Sequence, residues 1–318
     1  MRQPIHTFLQ QKLKQITAIV ASIIIYVVVF SMFTSCQKDL ALNSDIGAIK
    51  QVVIANLYPD AKLTVNISRS KSPNDFNSIN FLQNCKVDAY EDGVFMETLP
   101  FILKDTLSGL GYYTSSFKLQ QGKTYKIVSS HPELGIVEAT EYMPRIPTSA
   151  QVTLLQHADS TQPNKQGQYM LMIQDSALFK NYYFLATYYR ILKPTINNVG
   201  DTVYKYDYIG YPSYSPTIPN PGNANWSFFT DANFDGQFTS FSVNFQSLYN
   251  NIYKEILLVV ELAACGKNFY DWNTQQIRLG NDYLNDGQLE RINLEGNIIN
   301  GYGHFTANSS IYIGIPIK

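Results

Sequence analysis

A chain of 318 residues exceeds one ordinary domain and is long enough for two, each burying its own core without metal or disulfide staples. With 45% hydrophobic and 15% charged residues it falls among globular proteins and outside the disordered class. The formal charge is −1, and the first 35 residues hold Arg2, Lys12 and Lys14 but no acid; the remainder therefore has 21 bases against 25 acids, or −4, which argues against nucleic-acid binding.

The N-terminus reads as a targeting signal. Three basic residues lie within Met1 to Gln15, and Ile16 to Phe33 follows without a charge, a positive region before an apolar one. The run ends in Phe33-Thr34-Ser35-Cys36, where small residues before a cysteine resemble the lipobox of bacterial lipoproteins. Residues 1–35 are then a cleaved signal peptide, Cys36 the acylated first residue, and 36–47 a tether. Several acyl chains exceed the two-signal threshold for stable anchoring. An uncleaved spanning helix is the competing reading, at the lower edge of length. Gln37 rather than Asp after the cysteine favours the outer membrane by resemblance to lipoprotein sorting, with the face left open.

The 23 Tyr and 18 Phe, with many Val, Ile, Thr and Asn, favour strands and an all-β fold. Gln51 to Leu57, a turn at Tyr58-Pro59-Asp60, and the alternating Leu63, Val65 and Ile67 form the clearest strand pair. Short runs continue at 85–90, 94–99, 112–119 and 124–129, the spacing of a sandwich. Pro144 and Pro147 remove ladder donors and force extended backbone, so the boundary between a sandwich at 48–144 and a β-rich domain at 148–318 is placed there. Beyond it, 169–173, 182–190, 203–209, 238–245 and 256–263 read as strands. Phe179 to Leu192 also fits a helix, but its Tyr, Phe and Thr favour strand. Tyr211 to Asn225 holds four prolines and reads as a long loop. Asn268 to Leu279 is the short-helix candidate.

Few constellations carry chemistry. Asp231, Asn233 and Asp235 before Gly236 match the first half of a calcium loop, but Ser242 stands where a bidentate Glu is needed, which favours a plain turn. Calcium is thus the one cofactor considered, and none is assigned. Tyr204, Tyr206 and Tyr208 alternate along one strand, with Tyr211 and Tyr214 beyond it. Such a row either stacks on sugars or a protein partner, or packs against a neighbouring sheet, and burial is favoured because exposed aromatic surface needs a reason. His131, His157 and His304 lack metal-ligand spacing and read as loop or surface residues. Cys85 and Cys265 are read either as a bridge or as two isolated thiols. No nucleophile elbow, phosphate loop, zinc pair or dinucleotide fingerprint is present, so no catalytic residue is assigned; carboxylates brought together by folding leave no local pattern, and a glycosidase stays open.

The C-terminal run with Asn297, Ile298, Asn300, Gly301, Gly303 and Phe305 resembles the N-I-x-x-G-x-G-x-F ending of a Bacteroidota lipoprotein family known as domain of unknown function 4249. Asn181-Tyr182-Tyr183, Phe234-Asp235-Gly236, and Ala139-Thr140 with Pro144 resemble its other motifs in order, and His304 departs from its usual pattern. The resemblance implies an immunoglobulin-like β-sandwich followed by a larger β-rich domain, sandwich or barrel-like. It also implies an outer-membrane lipoprotein encoded beside TonB-dependent receptors, without an activity. Gly301 and Gly303 are expected to allow a bulge or close backbone approach, a folding role. Three functions remain in play: a non-enzymatic binding or accessory protein, a surface enzyme acting on glycans or peptides, and an adhesion or envelope-structural protein.

Overall fold

Alternation in Gln51–Leu57 buries Val53, Ala55 and Leu57 and turns Ile54 and Asn56 outward, and the same period of two shapes most of the chain. The computed structural model describes residues 48–71, 81–106, 109–147, 149–156, 166–177, 180–210, 213–215, 226–246, 248, 253–286 and 296–317. Cys36, the signal, the tether, His157, Tyr211 and most of the proline-rich loop lie outside them.

The first half comprises β1 (Gln51–Leu57), β2 (Lys62–Arg69), β3 (Lys86–Glu91), β4 (Val94–Thr98), β5 (Phe101–Asp105), β6 (Leu110–Lys118), β7 (Thr124–His131) and β8 (Gly135–Tyr142). The second comprises β9 (Ser149–Gln156), β10 (Gly167–Gln174), β11 (Tyr182–Ile196), β12 (Thr202–Gly210), β13 (Ser213–Tyr214), β14 (Trp226–Thr230), β15 (Phe238–Phe245) and β16 (Glu255–Cys265). Helix α1 (Lys267–Asp286), the short β17 (Ile298–Ile299) and β18 (Tyr302–Pro316) complete the order.

The fold is all-β, with open sheets layered against one another. A nine-stranded sheet runs β12-β11-β16-β18-β1-β2-β6-β5, with β14 on β11 beside β12; a five-stranded sheet runs β17-β8-β7-β3-β4 and a four-stranded one β13-β15-β10-β9. Among the described residues the sheet paths are open, so the architecture is layered and not a closed barrel. Two apolar clusters lie between the layers. The first joins Val53, Leu63 and Val65 to Val87, Ile127 and Val137, and takes Ile298, Phe305 and Ala307 from the far end of the chain. The second joins Leu185, Tyr189, Leu258 and Val260 to Tyr169, Leu171, Phe241 and Val243.

Strand β18 belongs to both. Its first half pairs in parallel with β1, and its second half antiparallel with β16, so one strand stitches the sheet together. The odd-numbered residues Phe305 and Ala307 face the first cluster and Ile311 and Ile315 the second. Both smaller sheets therefore cover the same face of the long sheet. Helix α1 lies on the opposite face, where Phe269 meets Phe184 and Phe228, and Trp272 meets His304.

The structure departs from the sequence reading in named places. Helix α1 runs past the expected end at Leu279. Strand β13 lies inside the expected proline-rich loop. Residues 298–307 contribute to the core of the first half, although they follow the boundary at Pro144 by some 150 positions. His131, expected in a loop or on the surface, is buried at the end of β7, where its Nδ1 accepts from the backbone N–H groups of Glu133 and Leu134.

Candidate functional site

Strand β11 is 15 residues long because Tyr183, Leu185, Tyr189 and Ile191 all find the second cluster on one side. Its last nine residues carry β12 as a hairpin, closed by Asn197, whose side-chain oxygen accepts from Val199 and Asp201 while Gly200 takes φ +95°. Strand β12 is an outer edge, and Lys205 and Asp207 keep it charged against edge pairing. The register sets Tyr208 opposite Arg190, Tyr206 opposite Leu192 and Tyr204 opposite Pro194. All are on the face turned away from the apolar clusters.

The expected burial of the row is not what the structure has. Tyr204, Tyr206 and Tyr208 are 51%, 54% and 61% exposed. The reason is layer order: the four-stranded sheet covers the other face of β11 and β16, and α1 covers this face only toward its far end. The rings are fixed nonetheless. The Arg190 guanidinium lies 4.7 Å from the Tyr206 ring centre and Lys254 Nζ 4.9 Å from that of Tyr204, while Tyr208 meets Tyr188 edge-on at 5.6 Å. Arg190 also donates to Glu255 at 3.1 Å, and the Tyr206 hydroxyl donates to the same carboxylate at 3.3 Å. The Arg190 Nε is buried without a partner.

The face continues across the sheet. Glu261, outward on β16, accepts from Ser310 Oγ at 2.8 Å and stands opposite Tyr312, which is 60% exposed. Tyr58, just past β1, is 46% exposed and near the same carboxylate. Burial, with the Glu261 charge second, pushes the hydroxyls of Tyr58 and Tyr312 up, and Tyr188 up to about 12. These phenols stay neutral donors throughout the physiological range. Tyr58, Tyr188 and Tyr312 carry no local sequence signal, since the sheet alone brings them to the row. Tyr211 lies outside the described residues, and Tyr214 is placed only by its backbone in β13, on the four-stranded sheet.

The acidic turn has a different organisation. Oxygens of Asp231 and Asp235 lie within 4.8 Å of one another and of Asp175, a residue 56 positions earlier that no local pattern marks. Asp175 Oδ2 accepts from the Gly236 N–H at 2.8 Å; its Oδ1 accepts from Asn181 Nδ2 at 3.1 Å and from the Tyr183 hydroxyl. Asp231 accepts from the Asn181 N–H at 2.6 Å. Gly236, at φ +67°, has no room for a Cβ against Ala177. The carboxylates thus tie β10, β11 and the 231–237 turn together, and a hard cation there would share oxygens that already accept these bonds. Burial, then its neighbours Asp175 and Asp235, raise Asp231 above the usual carboxylate range.

The C-terminal signature is structural. Asn297 accepts from the Phe305 N–H at 2.9 Å and donates to the Phe305 carbonyl at 2.7 Å and the Thr140 carbonyl at 3.2 Å. Asn300 takes φ +61°, Gly301 packs against Ile298 and Val137, and Gly303 crosses Val53. A cavity of about 150 Å³ lies between α1 and this segment, lined by Asp271, Trp272, Gln275 and His304 among others. Burial depresses the His304 pKa, and its ring lies 4.6 Å from that of Trp272. The thiols are free, Cys85 half-buried and Cys265 buried.

A family profile described as "Domain of unknown function (DUF4249)" matches residues 42–310. No curated protein matches the chain. Among solved structures, the Streptococcus agalactiae AgI/II polypeptide BspA C terminal domain is similar at 9% identity, covering 68% of this chain and 95% of that one. Its TM-score of 0.18 is too low to carry an argument.

Proposed function

The chain belongs to the family described as a domain of unknown function (DUF4249), and from that premise we propose that it is a non-enzymatic binding protein, lipid-anchored to the outer membrane. The observation that carries the binding role is the tyrosine face. Single exposed aromatics are ordinary, but an aligned row held in place by cations and left without a covering layer among the described residues is a preorganised contact surface. The anchoring rests on the sequence: three basic residues, an uncharged run and Cys36. A TonB-dependent receptor is the partner that the family resemblance implies.

Two experiments test this reading. Cys36→Ala releases the protein from the membrane fraction; a variant that stays fully membrane-bound favours a spanning helix instead. Pull-down of the tagged, lipidated chain from its native envelope in mild detergent is then compared between the wild type and the Tyr204→Ala/Tyr206→Ala/Tyr208→Ala variant. A stoichiometric companion captured only by the wild type is the expected result. Identical captures from both, or none from either, would remove the face as a contact surface for a protein.

A further inference from the structure

We infer that the tyrosine face binds an extended, uncharged carbohydrate chain. The inference rests on the reading of that face as the contact surface, and names what it contacts.

Shape is the first argument. Alternate residues on a strand recur every ~6.8 Å, so Tyr204, Tyr206 and Tyr208 form an evenly spaced row on an edge that pairs with no further strand among the described residues. A linear repeating ligand can meet such a row ring after ring. Each phenol offers an apolar face to the C–H side of a sugar and a hydroxyl to its rim.

Charge is the second. On the face of the row the charged groups beside the rings are Arg190, Lys254, Glu255 and Glu261, two of each sign, while Lys193, Lys205 and Asp207 alternate to the other face of the hairpin. That balance gives no net field for a polyanion or polycation. The same face gives hydroxyl-rich ligands what they need: carboxylate acceptors at Glu255 and Glu261 and the exposed phenol hydroxyls of Tyr204 and Tyr208.

Composition is the third. The cores of protein interfaces are depleted of charge, whereas here charged groups lie between the rings. The exposed large side chains of this face are mostly tyrosines, with Ile196 and Val199 at the hairpin end and Ile54 on β1. A protein partner remains the outcome to be tested against.

The full lipidated chain in mild detergent is pelleted with insoluble cellulose, xylan and mannan, with alginate-coated beads as the charged comparison. At least one neutral polymer should retain the wild type, and the triple Ala variant should lose at least about tenfold in bound fraction. The triple Phe variant keeps the rings and should stay within about threefold. Equal thermal midpoints show that the variants fold. Retention by none of the neutral polymers, equal retention of the Ala variant, or preference for alginate overturns the inference. If the neutral polymers fail while a tyrosine-dependent protein companion is captured, the carbohydrate assignment falls and the contact surface stands; if both fail, both fall.

Discussion

Glu141 shows how much one side chain can differ from its sequence pattern. Strand β8 alternates Val137, Ala139 and Glu141 on its buried side, so a carboxyl sits where a third apolar residue would be expected. Burial pushes it up to about 8, against hydrogen bonds from Asn268 and the Tyr142 backbone that favour its charged form; Asp271 raises it further and Lys267 opposes. The ordinary value is near 4.5, so the folded state holds a proton that the unfolded chain has lost. Its contribution to stability is therefore full below about pH 4.5 and is lost as pH rises toward 8. Glu141→Gln mimics the protonated form. Urea midpoints should agree with the wild type near pH 5 and favour the variant at pH 9, by on the order of 2–4 kcal/mol. A gain that does not change with pH would mean that the carboxyl is not neutral in the folded state.

The segment from β17 to β18 explains why a short motif can mark this fold. Asn297 clasps both backbone groups of Phe305 and so fixes the loop that feeds β18 into the first cluster. Gly303, at φ +106°, lies opposite Val53 in the parallel ladder, and an added Cβ would come within 2.0 Å of the Val53 carbonyl oxygen. Gly303→Ala should destabilise the protein by about 2 kcal/mol or more, from the backbone conformation before any clash is counted. Asn297→Ala, losing three hydrogen bonds, should cost about 1–3 kcal/mol. Chemical denaturation checks both, and a neutral Gly303→Ala would contradict the parallel register. Elements with one buried face were legible in the sequence: β1, β2, β10 and β15 show their period directly. Strand β14 was not, because Ser227, Phe228 and Phe229 are all buried, between α1 on one side and the second cluster on the other, and the period disappears. The tyrosine row was legible as a row. Its exposure was not, since which face of a sheet is covered depends on strands far away in sequence.

At the scale of the molecule, β18 decides what can fold alone. A proline-rich break after Met143 makes residues 48–144 look like a self-sufficient sandwich, and local composition cannot reveal that Ile298, Phe305 and Ala307 complete its core. The strand that supplies them continues into β16's ladder, so the two clusters share one continuous sheet. Loss of that strand takes away the parallel pair of β1 and an apolar patch that includes a fully buried Phe. Residues 48–144 expressed alone should therefore lack a cooperative thermal transition. The same continuity couples the halves in the intact chain. Both tryptophans, Trp226 and Trp272, lie outside residues 48–144, yet Gly303→Ala at the β1 junction should lower the tryptophan-detected midpoint as much as the far-ultraviolet one. Two separate transitions, or a fragment 48–144 that melts cooperatively at the full-length midpoint, would show that the first sandwich stands without its last strand, and that β18 joins two independent folds instead of completing one.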